Sequence, residues 1–405
     1  MQRYSLFIFI LIAGLFPLGC AHGRRTSKAH NSGSAKIEKA NASSLANGGR
    51  FAEVERGPFN QGEYASTFNP TLKSWMPAGK KVVPKDLHVA VELLDGNVFT
   101  LQAGEKTGAA EVYSVGAESW HPVADPIFPV IAPVAVRLQD GRILVLGKEA
   151  SQTGPSEDFA MRAQIYDSNF NSWSLTGQAT FDREEPSATV LGNGKVLLLG
   201  GKRFQKTEKV EVYDPARTVW RVEPSTEVLR DQLQSTLLLD GRVLVVGGTS
   251  DKKTEIFDPQ SHLWSTVAPI STARQSGHSL TLLNDGRVLL LGGVSESGEM
   301  TASAEVFYPA SGQWSTISRM PSPRKNHQAV LLNDGKVLVA GGILKRGKGS
   351  SAWLYDPALD KWTDVSPKTH GVATHAKLTV LKNGKVLVSG GSNQKSPALC
   401  GANCN

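Results

Sequence analysis

The 405-residue chain has three cysteines, Cys20, Cys400 and Cys404, and none between the first two. A long body without thiols suits an exported domain that has no free sulfhydryl to protect. Long hydrophobic runs are scarce as well. The one almost unbroken run, residues 4–18, follows the positive start Met1-Gln-Arg3. It is too short for a comfortable membrane span and has the length of the apolar core of a secretion signal. Charge excess is confined to one end. Residues 21–50 carry Arg24, Arg25, Lys28, Lys36, Lys39 and Arg50 against Glu38, a net +5 of the chain's +7. With Arg3 also set aside, residues 51–405 sum to about +1, which argues against nucleic-acid binding. Paired carboxylates, nucleophile–base triads and metal-ligand clusters at usable spacing are absent too.

Glycine is abundant, and it recurs in order. Seven times the chain has an acidic or amide residue, Gly, usually a basic residue, an aliphatic run and usually Gly-Gly. The copies start at Asp95, Asp140, Asn193, Asp240, Asp285, Asp334 and Asn383, and their turn glycines are 45, 53, 47, 45, 49 and 49 residues apart. Asp-Gly or Asn-Gly between apolar runs is a strong hairpin signal, because both turn residues tolerate positive φ. The outgoing runs at 196–199, 243–246, 288–291 and 337–340 are apolar at every position, as in a strand buried on both faces. A second phrase follows each first one: a short strand ending in an aromatic, Asp-Pro or a variant, then Trp. The series is Trp75, Trp120, Trp173, Trp220, Trp264, Trp314 and Trp362, with Trp353 outside it. Two hairpins per period of roughly 50 residues make a four-stranded blade, the unit of a propeller.

The paired phrases resemble the Kelch repeat over residues 62–391, although Gln102-Ala103-Gly104 and Leu146-Gly147-Lys148 each lack one glycine of the pair. The expected fold is all-β: a seven-bladed Kelch-type propeller with four antiparallel strands per blade. The Trp phrase comes first, near residues 62–76, and the hairpin phrase comes last, at 377–391. Seven blades therefore require the two ends of the body to share one blade, which closes the ring and removes free sheet edges. The Trp and Tyr residues are expected as core.

The chain reads as four segments: a signal at 1–19, a flexible basic tether at 20–50, the propeller at 51–391 and a tail at 392–405. Pro17-Leu-Gly-Cys20 looks like a bacterial lipobox with Cys20 as the lipidated first residue, although Pro17 stands where Leu is usual. The resemblance implies a lipid anchor in the cell envelope, and Ala21 points to the outer rather than the inner membrane; cleavage near Ala21 without lipidation is the alternative. Cys400 and Cys404 fit a small-loop disulfide, with a metal site as the weaker option.

Three further features bear on function. Lys85, Arg183, Arg230 and Arg324 lie eleven residues before their turn glycines, and Arg274 lies twelve before its own. They are either structural contacts to a neighbouring blade or an anion-binding mouth to the central channel. His88, His278 and His327 lie eight residues before theirs and His375 nine. They either bond neighbouring backbone or form a ring of metal-binding imidazoles. Residues 147–163 form the longest insertion, and residues 123–134 form an apolar, Pro-rich segment that is either a contact patch or a cover over the channel. Galactose-oxidase-like relatives use copper with a Tyr–Cys cross-link, which a body without Cys cannot build; no cofactor is expected. An exported Kelch-type sialic acid mutarotase is a second relative. The leading expectation is an envelope-anchored monomer binding a protein or glycan, possibly anionic. A sugar epimerase or mutarotase and a purely structural envelope protein are the alternatives.

Overall fold

The computed structural model describes residues 64–80, 88–104, 109–149, 161–183, 185–201, 208–344, 352–367, 372 and 375–390. Cys20, Lys85, Cys400, Cys404, the signal, the tether and the tail lie outside the described residues. Every regular element among the described residues is a β-strand.

Seven four-stranded antiparallel sheets form the blades. Their first strands are His88–Glu92, Val130–Arg137, Ser187–Val190, Leu233–Leu237, Ser279–Leu282, Gln328–Leu331 and Lys377–Val380, which number blades 1 to 7. Each first strand has no hydrogen-bonded partner on one edge, and the seven neighbour one another in a closed cycle. They therefore surround the central channel. Blade 7 takes its two inner strands, Lys377–Val380 and Val386–Ser389, from the end of the body and its two outer ones, Tyr64–Asn69 and Ser74–Lys80, from the beginning. Phe68 pairs with Val386 and Ser66 with Val388 across that seam. The expected closure is what the sheet shows.

The second strands fill the interior. Val196–Leu199, Val288–Leu291 and Val337–Ala340 are buried at every position, as their unbroken apolar runs require. The core is divided into seven clusters, each joining one blade to the next. In every blade the Trp of the fourth strand stacks at a tilt on the aromatic of the third, with centroids 4.8–5.1 Å apart. Six of these indoles also donate to a carbonyl of the segment leaving the preceding blade, for example Trp220 Nε1 to Gly177 O at 2.7 Å and Trp264 to Pro224 O at 2.8 Å. The Trp thus locks blade to blade through both its ring and its N–H. Trp314 Nε1 has no acceptor among the described residues.

Two residues before each Trp the backbone is left-handed: Lys73, Glu118, Asn171, Thr218, His262, Gly312 and Asp360 have φ between 46° and 66°. Only one is glycine, so the sequence carries no common signal for this turn. Three of these side chains reach the preceding blade: Asn171 Oδ1 accepts from Ala124 N, His262 pairs with Glu223, and Asp360 accepts from Ser318.

Candidate functional site at the channel mouth

The first strands begin, and the second strands end, on what is termed here the upper face. Two rows of residues in the loops entering the first strands have opposite fates on that face.

The first row is buried framework. Arg183, Arg230, Arg274 and Arg324 are fully enclosed, at 0% exposure. Arg230 Nε donates to Glu255 Oε2 at 2.9 Å, Nη1 to Gly247 O at 2.6 Å and Nη2 to Lys253 O at 3.0 Å. Arg183 repeats this with Glu211 and Gly200 O, and Arg274 pairs with Glu305 at 3.0 Å. The same carboxylates accept backbone N–H groups of the incoming loop, Thr180, Glu227 and Ser271. Burial pulls the Arg183 and Arg274 guanidiniums below their ordinary range, while the facing glutamates oppose the shift. In blade 6 the glutamate position holds Trp353; Arg324 donates to Gly341 O and Ser322, and burial pulls it down to about 10. Blade 2 has Val130 in place of the Arg and Gln164 in place of the Glu. Gln164 Oε1 accepts from Ile127 N and Nε2 donates to Phe128 O, both at 2.9 Å. Each described member of the sequence-predicted cation row therefore makes contacts inside the blades rather than projecting from the mouth.

The imidazoles belong to the same framework. His88 Nε2 meets Ser389 Oγ at 2.9 Å, His278 Nε2 meets Val246 O at 3.2 Å and His327 Nε2 meets Ser279 Oγ at 2.9 Å, each bonding the preceding blade. Desolvation, aided by nearby arginines, pushes His278 and His327 down to about 3, so both are neutral. The diglycine faces this row. A Cβ on Gly247 would lie 2.3 Å from His278 Cε1 and 2.7 Å from Arg274 O, and φ there is +75°. Gly248 N–H donates to Arg274 O and Gly293 N–H to Arg324 O, so the second glycine ties each of these blades to the next. Glycine is required because the next blade's loop rests on it.

The second row forms the mouth. Nine residues before their turn glycines, Ala132, Glu185, Gly277, Asn326 and His375 all have φ between 46° and 67°, in five of the seven blades. Four of the five are not glycine, and such strain gathers at sites where a side chain must be aimed. Glu185 and Asn326 are exposed. Gln232, at the same register, donates from Nε2 to Glu185 Oε2 at 2.7 Å. Two residues on, Val134, Gln234, Gln328 and Lys377 are at least partly exposed, whereas Val89 is buried between blades 1 and 2, and Ser187 and Ser279 bond the next blade through Ser235 and His327. Lys377 is half-buried; desolvation lowers its ammonium below the ordinary lysine range, and the Glu185 carboxylate, two blades beyond blade 1, opposes that shift. The mouth is thus polar from blade 3 round to blade 7 and apolar at blade 2. Sequence reading missed this row because its members share a position and a backbone conformation but no residue type.

The Pro-rich segment divides. Phe128 and Val130 are buried between blades 1 and 2, and residues 130–137 are strand with a bulge, while Ile127 and Ile131 stay exposed. The segment is held by Gln164 and is not a free loop. Residues 150–160 of the long insertion lie outside the described residues.

No protein-family model and no curated protein sequence matches the chain. Solved structures do. A fungal alcohol oxidase of the AA5 family, solved in complex with copper, superposes with a TM-score of 0.64 at 20% identity, covering 79% of this chain and 72% of the oxidase. The protein YjhT superposes with a TM-score of 0.52 at 16% identity, covering 70% of this chain and 98% of YjhT. Among the described residues no group of three or more His, Cys, Asp or Glu side chains converges, and the buried imidazoles each bond a separate blade junction. That donor set does not fit copper. With its seven four-stranded sheets closed through blade 7, and with these superpositions, the chain has the Kelch-type seven-bladed β-propeller fold.

Proposed function

We propose that the chain is an exported, lipid-anchored binding protein that holds a glycan in the mouth of its channel. The observation that carries the reading is the strained mouth row: Glu185, Asn326 and His375 in left-handed backbone beside Gln232, Gln234, Gln328 and Lys377. Amides and hydroxyls that both donate and accept, with one cation and one carboxylate, match a polyhydroxylated ligand better than an apolar protein surface. The apolar side chains of Val134 and Ile131 would meet the C–H face of a sugar ring. Lipidation at Cys20 and the tether at 21–50 would keep the ring near the membrane while letting it sample the space above. An acidic peptide ligand remains the alternative occupant of the same mouth. The test is a glycan array probed with the mature protein, repeated with Lys377→Met and Glu185→Gln. Loss of the leading hits in Lys377→Met, with a smaller drop in Glu185→Gln, supports the reading; hits unchanged by both, or none at all, overturn it. Mass spectrometry of the mature N-terminus tests the anchor, a Cys20 carrying a diacylglyceryl group and a further acyl chain being the expected species.

One observation favours a second reading, sugar isomerisation in the same channel. Lys377 is a half-buried amine whose ammonium form is disfavoured by burial, and the exposed Glu185 carboxylate across the mouth partly opposes that. Opening a cyclic sugar needs a base for the anomeric hydroxyl and an acid for the ring oxygen, and such a pair can supply both. NMR exchange between anomers, accelerated by the parent protein and not by Lys377→Met, would favour catalysis over binding alone.

A further inference from the structure

Beside the mouth, on the upper face of blade 5, lies a groove of about 650 Å³. One wall is a small hairpin in the loop between the second and third strands, closed by the Val294–Met300 bridge and by Ser295 N–H donating to Glu299 O at 2.9 Å. Residues 301–304 and 316–323 complete it. The Ser276–Val294 bridge joins the hairpin to the loop entering the first strand of blade 5, next to Gly277 of the mouth row.

The lining mixes hydroxyls with Met300, Ala302, Ala304, Ile317 and Pro323. Ser271, Ser295, Thr301, Ser303 and Thr316 all face it, with the exposed Arg319 at one bank. Thr301 Oγ1 and Ser303 Oγ are 2.9 Å apart, so they present paired oxygens as a vicinal diol does. The backbone around them is already engaged: Thr301 N–H donates to Gly293 O, Ile317 N–H to Ala304 O and Met320 N–H to Ala302 O. An extended peptide, which binds through main-chain hydrogen bonds to free N–H and C=O groups, has little to pair with here. Ser295 Oγ already donates to Glu299 O, and Thr301 Oγ1 accepts from Ser303 N, but each hydroxyl oxygen keeps further hydrogen-bonding capacity that suits a sugar, and a guanidinium on the bank suits a carboxylate. On the opposite bank Lys252 lies 3.5 Å from Glu296, which offsets the one carboxylate of the lining.

We infer that this groove is a second subsite for an acidic oligosaccharide whose end occupies the mouth. The inference rests on the glycan reading above and adds to it the chain length and charge of the ligand. The test uses galacturonic acid and its tetramer, titrated into the full mature protein by NMR and calorimetry. The parent protein should bind the tetramer at least tenfold tighter than the monomer. Thr301→Val with Ser303→Ala should erase that gain, and Arg319→Gln should reduce it several-fold, with monomer binding and melting temperature unchanged. A length gain that survives both variants, or its absence from the parent protein, overturns the subsite while leaving the mouth intact. Binding of neither probe by the parent protein overturns both.

Discussion

Arg230 and Gln232 stand two residues apart in the loop entering blade 4, and they serve different ends. Arg230 is sealed inside the blade by Glu255 and two carbonyls. Gln232 reaches along the channel mouth to Glu185 in the neighbouring blade. The same division runs round the ring. The row that repeats in sequence is enclosed and paired, while the row that varies in sequence faces the channel. Repetition here marks what every blade needs in order to stack, and variation marks where the ring stops being symmetric.

The division can be broken from the framework side with the largest effect. Arg230→Met leaves Glu255 buried without its cation and should cost about 3–5 kcal/mol in chemical denaturation. Adding Glu255→Gln copies the neutral solution of blade 2, where Gln164 holds the same loop by its amide, and should restore stability to within about 1 kcal/mol of the parent. A double variant as unstable as the single one would mean that the ion pair itself, and not the satisfied hydrogen bonds, holds the blade. The imidazoles give the next largest effect. The unfolded chain binds protons at His278 and His327 once pH falls below their ordinary value of 6.5, whereas the native state refuses them until about 3. Stability should therefore fall as pH drops through that window, by roughly 3 kcal/mol per pH unit for the two groups together. His278→Gln with His327→Gln, followed by denaturation at pH 6.5 and pH 5, should flatten the slope.

On the mouth side the expected stability effects are small and the ligand effects large. Lys377→Met removes a half-buried charge whose protonated form is disfavoured by desolvation, so the melting temperature should hold or rise slightly while glycan affinity falls about tenfold. Glu185→Gln, at an exposed position, should change stability by less than about 0.5 kcal/mol and separate the two functional readings. A binding site keeps much of its affinity with the amide, whereas an acid–base pair loses turnover.

Much of the framework was legible because its physics is local. Asp285-Gly286 specifies a hairpin wherever it sits, and the run at 288–291 can be satisfied only by burial on both faces. The Tyr or Phe and the Trp that follows it announce the outer hairpin. The seam of blade 7 was legible from the order of the phrases alone. The cation row was visible as a pattern, but its direction was not, because the pairing glutamate lies some 25–31 residues further on, in the third strand. The left-handed residues before each Trp and before the first strands were invisible, since Lys, Glu, Asn, Thr, His and Asp all occur there. Tertiary contacts, not residue preference, hold those dihedrals.

The sequence by itself determined the blade, the number of blades and the way the ring closes, because hairpin turns, doubly buried strands and aromatic locks repeat with a fixed period. Only the tertiary structure decided which residues face the channel. That choice depends on how each blade twists against the next and on whether a side chain finds its partner inside its own sheet, as Arg230 does, or across the mouth, as Gln232 does.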